Sequence, residues 1–458
     1  MSCCGDDDPR PVRARRGPDA PAPGWRFETL ALHAGQAAEG PGPRAVPVQR
    51  TSSFLFEDTA HAAALFALKE EGHVYSRISN PTVAVLEERL TRLEGGRATV
   101  ALASGTAAVF SAVATLAQAG DTVVSASDLY GGTYTLFDTI LPRLGIRVKL
   151  VGPPDPRAVV AAIDASTRAV YIETIGNPGL DLADIAAVAE AAHGRGVPLV
   201  VDGTFTTPYL LRAIDHGADV VVNSLTKWLG GHGTAIGGAV TDAGRFDWAA
   251  GRHPLLSEPD PSYHGLRWAF DLPAFQAAAP FAARLRGVVL RNLGPCLSPD
   301  DAWLFLQGLE TLPVRMERHC ANALKVARFL RGHRAVAWVR YPGLAGDPSR
   351  AKARRYLRRG CGGVVVFGLK GGRRAAVALI DKVRLFSHAA NVGDAKSLIL
   401  HPASTTHSQL TEGQRREAGL TPDLVRLSVG LEHPDDLIAA LEEALSRAAA
   451  RRSRRSRR

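Results

Sequence analysis

Val221–Thr234 reads VVNSLTKWLGGHGT, an apolar run that ends at a single lysine, Lys227, with glycines close behind. The apolar run predicts a buried strand, and the glycines leave little side-chain bulk where it exits. Desolvation at such a place lowers the lysine pKa and makes the amine nucleophilic. Upstream, VPLVVDGTF ends a second apolar strand at Asp202. A carboxylate there is costly to bury without a cationic partner. Around these two strands, TVVSA (122–126), RAVYIE (168–173), PLVVD (198–202) and DVVVNS (219–224) alternate with helical segments such as LADIAAVAEAAHGRG (182–196). This alternation predicts a mostly parallel sheet covered on both faces. Ligands of such sheets gather at the C-terminal strand ends, where Asp202 and Lys227 both fall.

A lysine that forms an imine and an aspartate that holds a protonated ring nitrogen are the pair pyridoxal 5'-phosphate (PLP) requires. Ser224 and Thr226 set two hydroxyls just before the lysine, beside accessible glycine backbone, which suits a phosphate monoester. A second phosphate element is expected in ALASGTAAVFSAVATL, where Ser104, Gly105 and Thr106 lie between a strand and a helix N-terminus. Taken singly, Lys227 reads as a surface lysine and the strand-turn-helix as a common α/β element; the combination is what carries weight.

Ordered blocks from about residue 29 to 445 carry a family resemblance: YSRISNPT, LEGG, ASGTAA, DLYGGTY, ETIGNP, VDGTFTTPYL, SLTKWLGGHGT, NVGDAKSLILHPASTTH and VRLSVGLE. The chain resembles the Cys/Met metabolism PLP-dependent enzymes, which include the trans-sulfuration enzymes. The branch it resembles most is the O-acetylhomoserine sulfhydrylases, or O-acetylhomoserine aminocarboxypropyltransferases, on the strength of GHGT, GDAKSL and the long segment between Thr241 and Pro299. The resemblance implies an α/β PLP-dependent transferase of fold type I, aspartate aminotransferase-like, with a smaller C-terminal α/β domain.

Carried over by position, the resemblance implies a catalytic set of Lys227, Tyr130 and Tyr75. The cofactor would be held by Lys227, Asp202, Tyr130, Gly105, Thr106, Ser224 and Thr226, with Tyr75 and Arg77 lent to the phosphate of a neighbouring subunit. Arg426 would clamp the substrate carboxylate, helped by Asn177 and Ser397. Arg426 lies inside an otherwise apolar VRLSVG run, which argues for a charge held in a site. No metal is expected. The implied partners are a small amino-acid substrate, sulfide or a thiol, and further copies of the chain, with a dimer as minimum and a tetramer as the family's usual form. The implied reaction is γ-replacement on O-acetyl-L-homoserine. An O-succinylhomoserine sulfhydrylase, a cystathionine γ-synthase and a cystathionine or methionine γ-lyase share all these residues and stay open, as does a regulatory protein that kept the fold without activity. Two departures stand out: Gly203 replaces the asparagine of the common VDNTF motif, and Gly132 stands where the methionine γ-lyase branch usually has cysteine.

The organisation read from the chain is a Pro- and Arg-rich leader (1–24), an N-terminal arm (25–79), a large PLP-binding domain (80–290), a small domain (291–449) and a basic tail (450–458). Of the 458 residues, 46% are hydrophobic, enough for substantial cores. The net charge of +10 includes six arginines of RRSRRSRR at the C-terminus, so it gives no case for specific nucleic-acid binding, although the tail can attract polyanions nonspecifically. The apolar runs are too short or interrupted for a transmembrane helix, and the N-terminus lacks a signal-peptide core. Five cysteines without framework spacing point to a reducing cytoplasm, and the adjacent Cys3 and Cys4 read as part of a disordered leader rather than a metal site.

Overall fold

The computed structural model describes residues 24–36, 43–152, 155–406, 408, 411, 413 and 419–455, with side chains described only as far as residue 446 in the last helix. The leader with Cys3 and Cys4, and the end of the basic tail, lie outside the described residues.

Seven strands form the larger sheet: β1 (Ala98–Leu102), β2 (Thr122–Ser125), β3 (Arg147–Leu150), β4 (Thr167–Glu173), β5 (Leu199–Asp202), β6 (Val220–Ser224) and β7 (Gly238–Asp242). Their order is β1-β7-β6-β5-β4-β2-β3. β7 alone runs against its neighbours, pairing antiparallel with both β1 and β6; the other pairs are parallel. Helices pack on both faces, so successive residues of a central strand enter different cores. In β6, Val221 belongs to one core, while Val220 and Val222 belong to the other. Full burial of such a side chain contributes roughly 1.5–3 kcal/mol. That two-sided burial is why these strands read as continuous apolar runs.

A second sheet follows in the C-terminal part: β8 (Val336–Arg340), β9 (Val364–Leu369), β10 (Ser387–His388), β11 (Leu398–Leu400) and β12 (Leu424–Ser428), in the order β10-β11-β12-β9-β8. Its core is built with the helices Leu312–Gly332, Gly372–Ile380 and Pro434–Arg455. Among the described residues, no helix is long and apolar enough to cross a membrane.

The fold positions the site through close backbone approaches. A Cβ on Gly105 would meet the Cβ of Ser224 at 2.6 Å, so the start of helix Gly105–Leu116 lies directly against the end of β6. Ser104 caps that helix by accepting the Ala107 N–H at 3.0 Å. The β6 exit turn is held from beneath by Arg315, a buried arginine of helix Leu312–Gly332. It donates to the carbonyls of Trp228 (2.7 Å) and Gly308 (2.6 Å). Gly231 closes the turn at φ +75°, where a side chain would strike the Arg315 guanidinium.

Candidate active site

One cavity of about 300 Å³ lies at the C-terminal ends of β4, β5 and β6, bounded on the far side by the second sheet. Gly105, Thr106, Tyr130, Asn177, Asp202, Ser224, Thr226, Lys227 and Arg426 all line it. These come from six separate stretches of chain, and the sheet topology gathers them.

Lys227 projects from the β6 turn, and its Nζ donates to Asn391 Oδ1 at 2.6 Å. Burial, with the nearby positive charge of Arg426 as the lesser cause, brings its pKa down to about 8. Asp202 ends β5 and borders the cavity. Its carboxylate accepts the Thr204 N–H at 2.8 Å and the Tyr171 hydroxyl at 3.2 Å. Burial raises its pKa despite these donors. The described partners of this carboxylate include no cation, so the cavity offers a charge that a protonated ring nitrogen matches.

Arg426 shows the opposite imbalance. It is 4% exposed, on β12, and donates to Asn177 Oδ1 at 3.1 Å and to the Asn391 carbonyl at 3.4 Å. Burial lowers its pKa to about 10. These described acceptors are neutral oxygens, which leaves a buried guanidinium able to take a carboxylate in the forked geometry arginine favours.

Tyr130 is half exposed at the cavity, and a side chain on Gly132 would meet its ring at 2.5 Å. The glycine at that position therefore clears the tyrosine face. Near the phosphate end, the helix start at Gly105 and Thr106 faces Ser224 and Thr226, and the Thr226 hydroxyl is tied to Gly237 N–H at 3.1 Å. Free N–H groups at a helix start attract anions.

Three expected residues lie elsewhere. Tyr75 and Arg77 are in the arm, outside this chain's cavity. Arg77 lies 5.3 Å from the Tyr75 ring centroid and donates to the Arg291 carbonyl. Ser397 is buried away from the cavity lining: its hydroxyl donates to Glu432 at 2.8 Å and accepts the Gly430 N–H at 2.8 Å. The residue of that NVGDAKSL segment that reaches Lys227 and Arg426 is Asn391, six positions earlier. Glu173, whose role no sequence pattern marks, also lines the cavity and accepts the Tyr130 N–H at 2.7 Å.

Gly203 has a local consequence. A Cβ there would stand 3.2 Å from Asn223 Oδ1, a buried oxygen with no hydrogen-bond donor among the described residues. The Asn223 amide N–H is committed to Glu94 at 2.6 Å, a carboxyl that burial pushes up to about 7. Gly203, without a side chain, brings no donor to this buried acceptor.

PLP fits what the cavity offers: an amine for its aldehyde, an anion for its ring nitrogen, an exposed aromatic face and a helix start for its phosphate. Comparison with known proteins agrees. Residues 28–446 match the family described as Cys/Met metabolism PLP-dependent enzyme. An O-acetyl-L-homoserine sulfhydrylase of Leptospira meyeri is 52% identical over 92% of this chain and 97% of its own length. A homocysteine synthase of Schizosaccharomyces pombe is 49% identical over 93% of this chain and 99% of its own. A crystal structure from Campylobacter jejuni, provisionally described as an O-acetylhomoserine (thiol)-lyase and carrying N'-pyridoxyl-lysine-5'-monophosphate, superposes with a TM-score of 0.89 at 41% identity, covering 92% of this chain and all of that one. The chain belongs to the Cys/Met metabolism PLP-dependent enzyme family.

Proposed function

We propose that this chain catalyses γ-replacement on O-acetyl-L-homoserine, exchanging acetate for sulfide or a thiol to give homocysteine or methionine. The observation that carries it is the convergence of the Lys227 amine, the Asp202 carboxylate and the Arg426 guanidinium, whose described acceptors are neutral oxygens, on one cavity. Relatives named for this chemistry, half identical over nearly the whole chain, support the choice of substrate.

Lys227 would hold the cofactor aldehyde carbon, Asp202 the ring nitrogen and Tyr130 the ring face. Gly105, Thr106, Ser224 and Thr226 would hold the phosphate, joined by Tyr75 and Arg77 of a second copy. When bound, PLP supplies the sink for electron density released as substrate C–H bonds break. Arg426 and Asn177 fix the substrate carboxylate, which aims the Cα–H bond at Lys227. Once the substrate amine has displaced it from the aldehyde carbon, the freed Nζ, with its pKa brought down to about 8, would take the Cα proton, give that proton up through Tyr130 and then, neutral again, take a Cβ proton, while Asn391 Oδ1 steers it. Tyr130 lines the same cavity and would relay a proton. Acetate leaves from Cγ, the sulfur bonds to Cγ, and Lys227 returns the protons. Ser397 acts at one remove, by bracing the Gly430 backbone through its hydroxyl.

The assembly we infer is at least a dimer, with a tetramer as the full form. Exposed apolar side chains on the arm support this, with Leu55 99% and Phe66 50% exposed. The division into arm (25–79), large domain (80–290) and small domain (291–449) belongs to the same reading and is supported by the two separate sheets. A cytoplasmic location is supported by the free thiols of Cys296, Cys320 and Cys361.

The test is a matrix assay. O-acetyl- and O-succinyl-L-homoserine, cystathionine and methionine are each supplied with sulfide, methanethiol or cysteine, and products are quantified by mass spectrometry. Fastest homocysteine formation from O-acetyl-L-homoserine and sulfide is expected. Preference for the succinyl ester, or release of 2-oxobutyrate without sulfur uptake, would transfer the assignment to a sibling reaction.

A further inference from the structure

Glu173 ends β4 and is the register partner of Asp202 on β5. Two carboxyl groups therefore stand side by side at the cavity floor, on neighbouring strands. They are not equally supplied with donors. Asp202 receives the Thr204 N–H and the Tyr171 hydroxyl, whereas Glu173 receives the Tyr130 N–H. Like charges at this separation from bulk water cannot both be carried cheaply, and the better-solvated carboxylate takes the charge.

We propose that Glu173 is a positioning residue for the reaction: its carboxyl anchors the Tyr130 turn through the backbone N–H and keeps the proton of the pair, leaving Asp202 as the single anion toward the ring nitrogen. This rests on the function proposed above. The other titratable groups around Glu173 do not offer it a counter-charge. Asp128, from the loop after β2, is itself acidic, and burial pushes it up to about 7. Tyr171 donates to Asp202. Lys227 and Arg426 face the same cavity, but their hydrogen bonds go to Asn391 and Asn177. Burial first, and the Asp202 charge second, hold the Glu173 carboxyl well above the usual carboxylate range, in agreement with the geometry. The proton matters because a second anion beside Asp202 would overbind the ring-nitrogen proton. The anchor matters because the Tyr130 ring has one side open to the cavity and is set by its own turn.

The test compares Glu173→Gln, which keeps shape and an acceptor without charge, with Glu173→Leu, which keeps bulk and no acceptor. Infrared difference spectra of wild-type minus Glu173→Gln at neutral pH should show a protonated carboxyl band. In the cofactor-loaded proteins, Glu173→Gln should hold kcat within about threefold and keep the pH profile of the visible absorbance. Glu173→Leu should lose about tenfold or more in kcat, the scale of one lost buried hydrogen bond, with a smaller change in KM and a displaced pH profile. Absence of the protonated band, or a glutamine variant as damaged as the leucine variant, overturns the proposal. The infrared arm needs neither turnover nor the leucine variant to fold. A wild-type protein that shows the band and makes no homocysteine sustains the proton placement and overturns the reaction assigned above instead.

Discussion

The turn that carries Lys227 and the arm that carries Tyr75 and Arg77 differ in how completely their own chain accounts for them. The Lys227 turn is braced from every side: Arg315 holds its carbonyls, Gly231 accepts the Ala395 N–H at 2.8 Å, and Asn391 takes the amine. The arm is tied down by backbone pairing between Ser53 and Tyr75, yet Tyr75 is 41% exposed and does not line the cavity that holds Lys227. A wall held by several hydrogen bonds suits chemistry that depends on orientation. An arm with exposed aromatic and apolar groups suits a surface completed by another copy.

The largest expected effect separates these two regions. Lys227→Ala should lower turnover by about a thousandfold or more, because both proton transfers pass through its amine. Arg77→Ala should lower it by about ten- to a hundredfold through loss of a phosphate clamp. Co-refolding the two defective proteins should restore activity, since a hybrid dimer would contain one cavity with both residues intact. Activity that stays at the level of the separate variants would place the arm's contribution outside the partner's site and break the comparison.

Arg426→Ala should raise KM for the amino-acid substrate by about ten- to a hundredfold, the cost of a charge-assisted pair, with a smaller change in kcat. Steady-state kinetics checks this; an unchanged KM would remove Arg426 from substrate binding. A smaller effect concerns pH. Because the Lys227 pKa is pushed down to about 8, its neutral form gains population as pH rises through that value rather than through 10.5. Capture of PLP by cofactor-free protein should therefore accelerate up to about pH 8 and then level off, followed as growth of visible absorbance. The smallest effect is at Gly203. Gly203→Asn supplies an amide beside the orphaned Asn223 oxygen and should add about 1 kcal/mol of stability, read from chemical unfolding.

The same contrast explains what the sequence discloses. Strands β4, β5 and β6 are legible because burial on two faces makes them apolar throughout, and Lys227 and Asp202 are legible because charge terminates those runs. β7 is not, since its GAVTD stretch opens on the second glycine of a Gly-Gly pair and runs antiparallel between β1 and β6, a placement that depends on long-range pairing. Asn391 and Ser397 share one segment, and only the fold of that loop decides that Asn391 turns inward while Ser397 pairs with Glu432. Arg315 reads as one more polar position on a long helix, although it is 4% exposed and holds the lysine turn. Glu173 was visible within ETIGNP, but its importance comes from the β4–β5 register that sets it beside Asp202.

Attachment of PLP at Lys227 is tested by borohydride reduction of the cofactor-loaded protein followed by peptide mass spectrometry. A phosphopyridoxyl adduct is expected on the peptide containing Lys227 and on no other lysine. An adduct at a different lysine, or none in protein saturated with PLP, would contradict it.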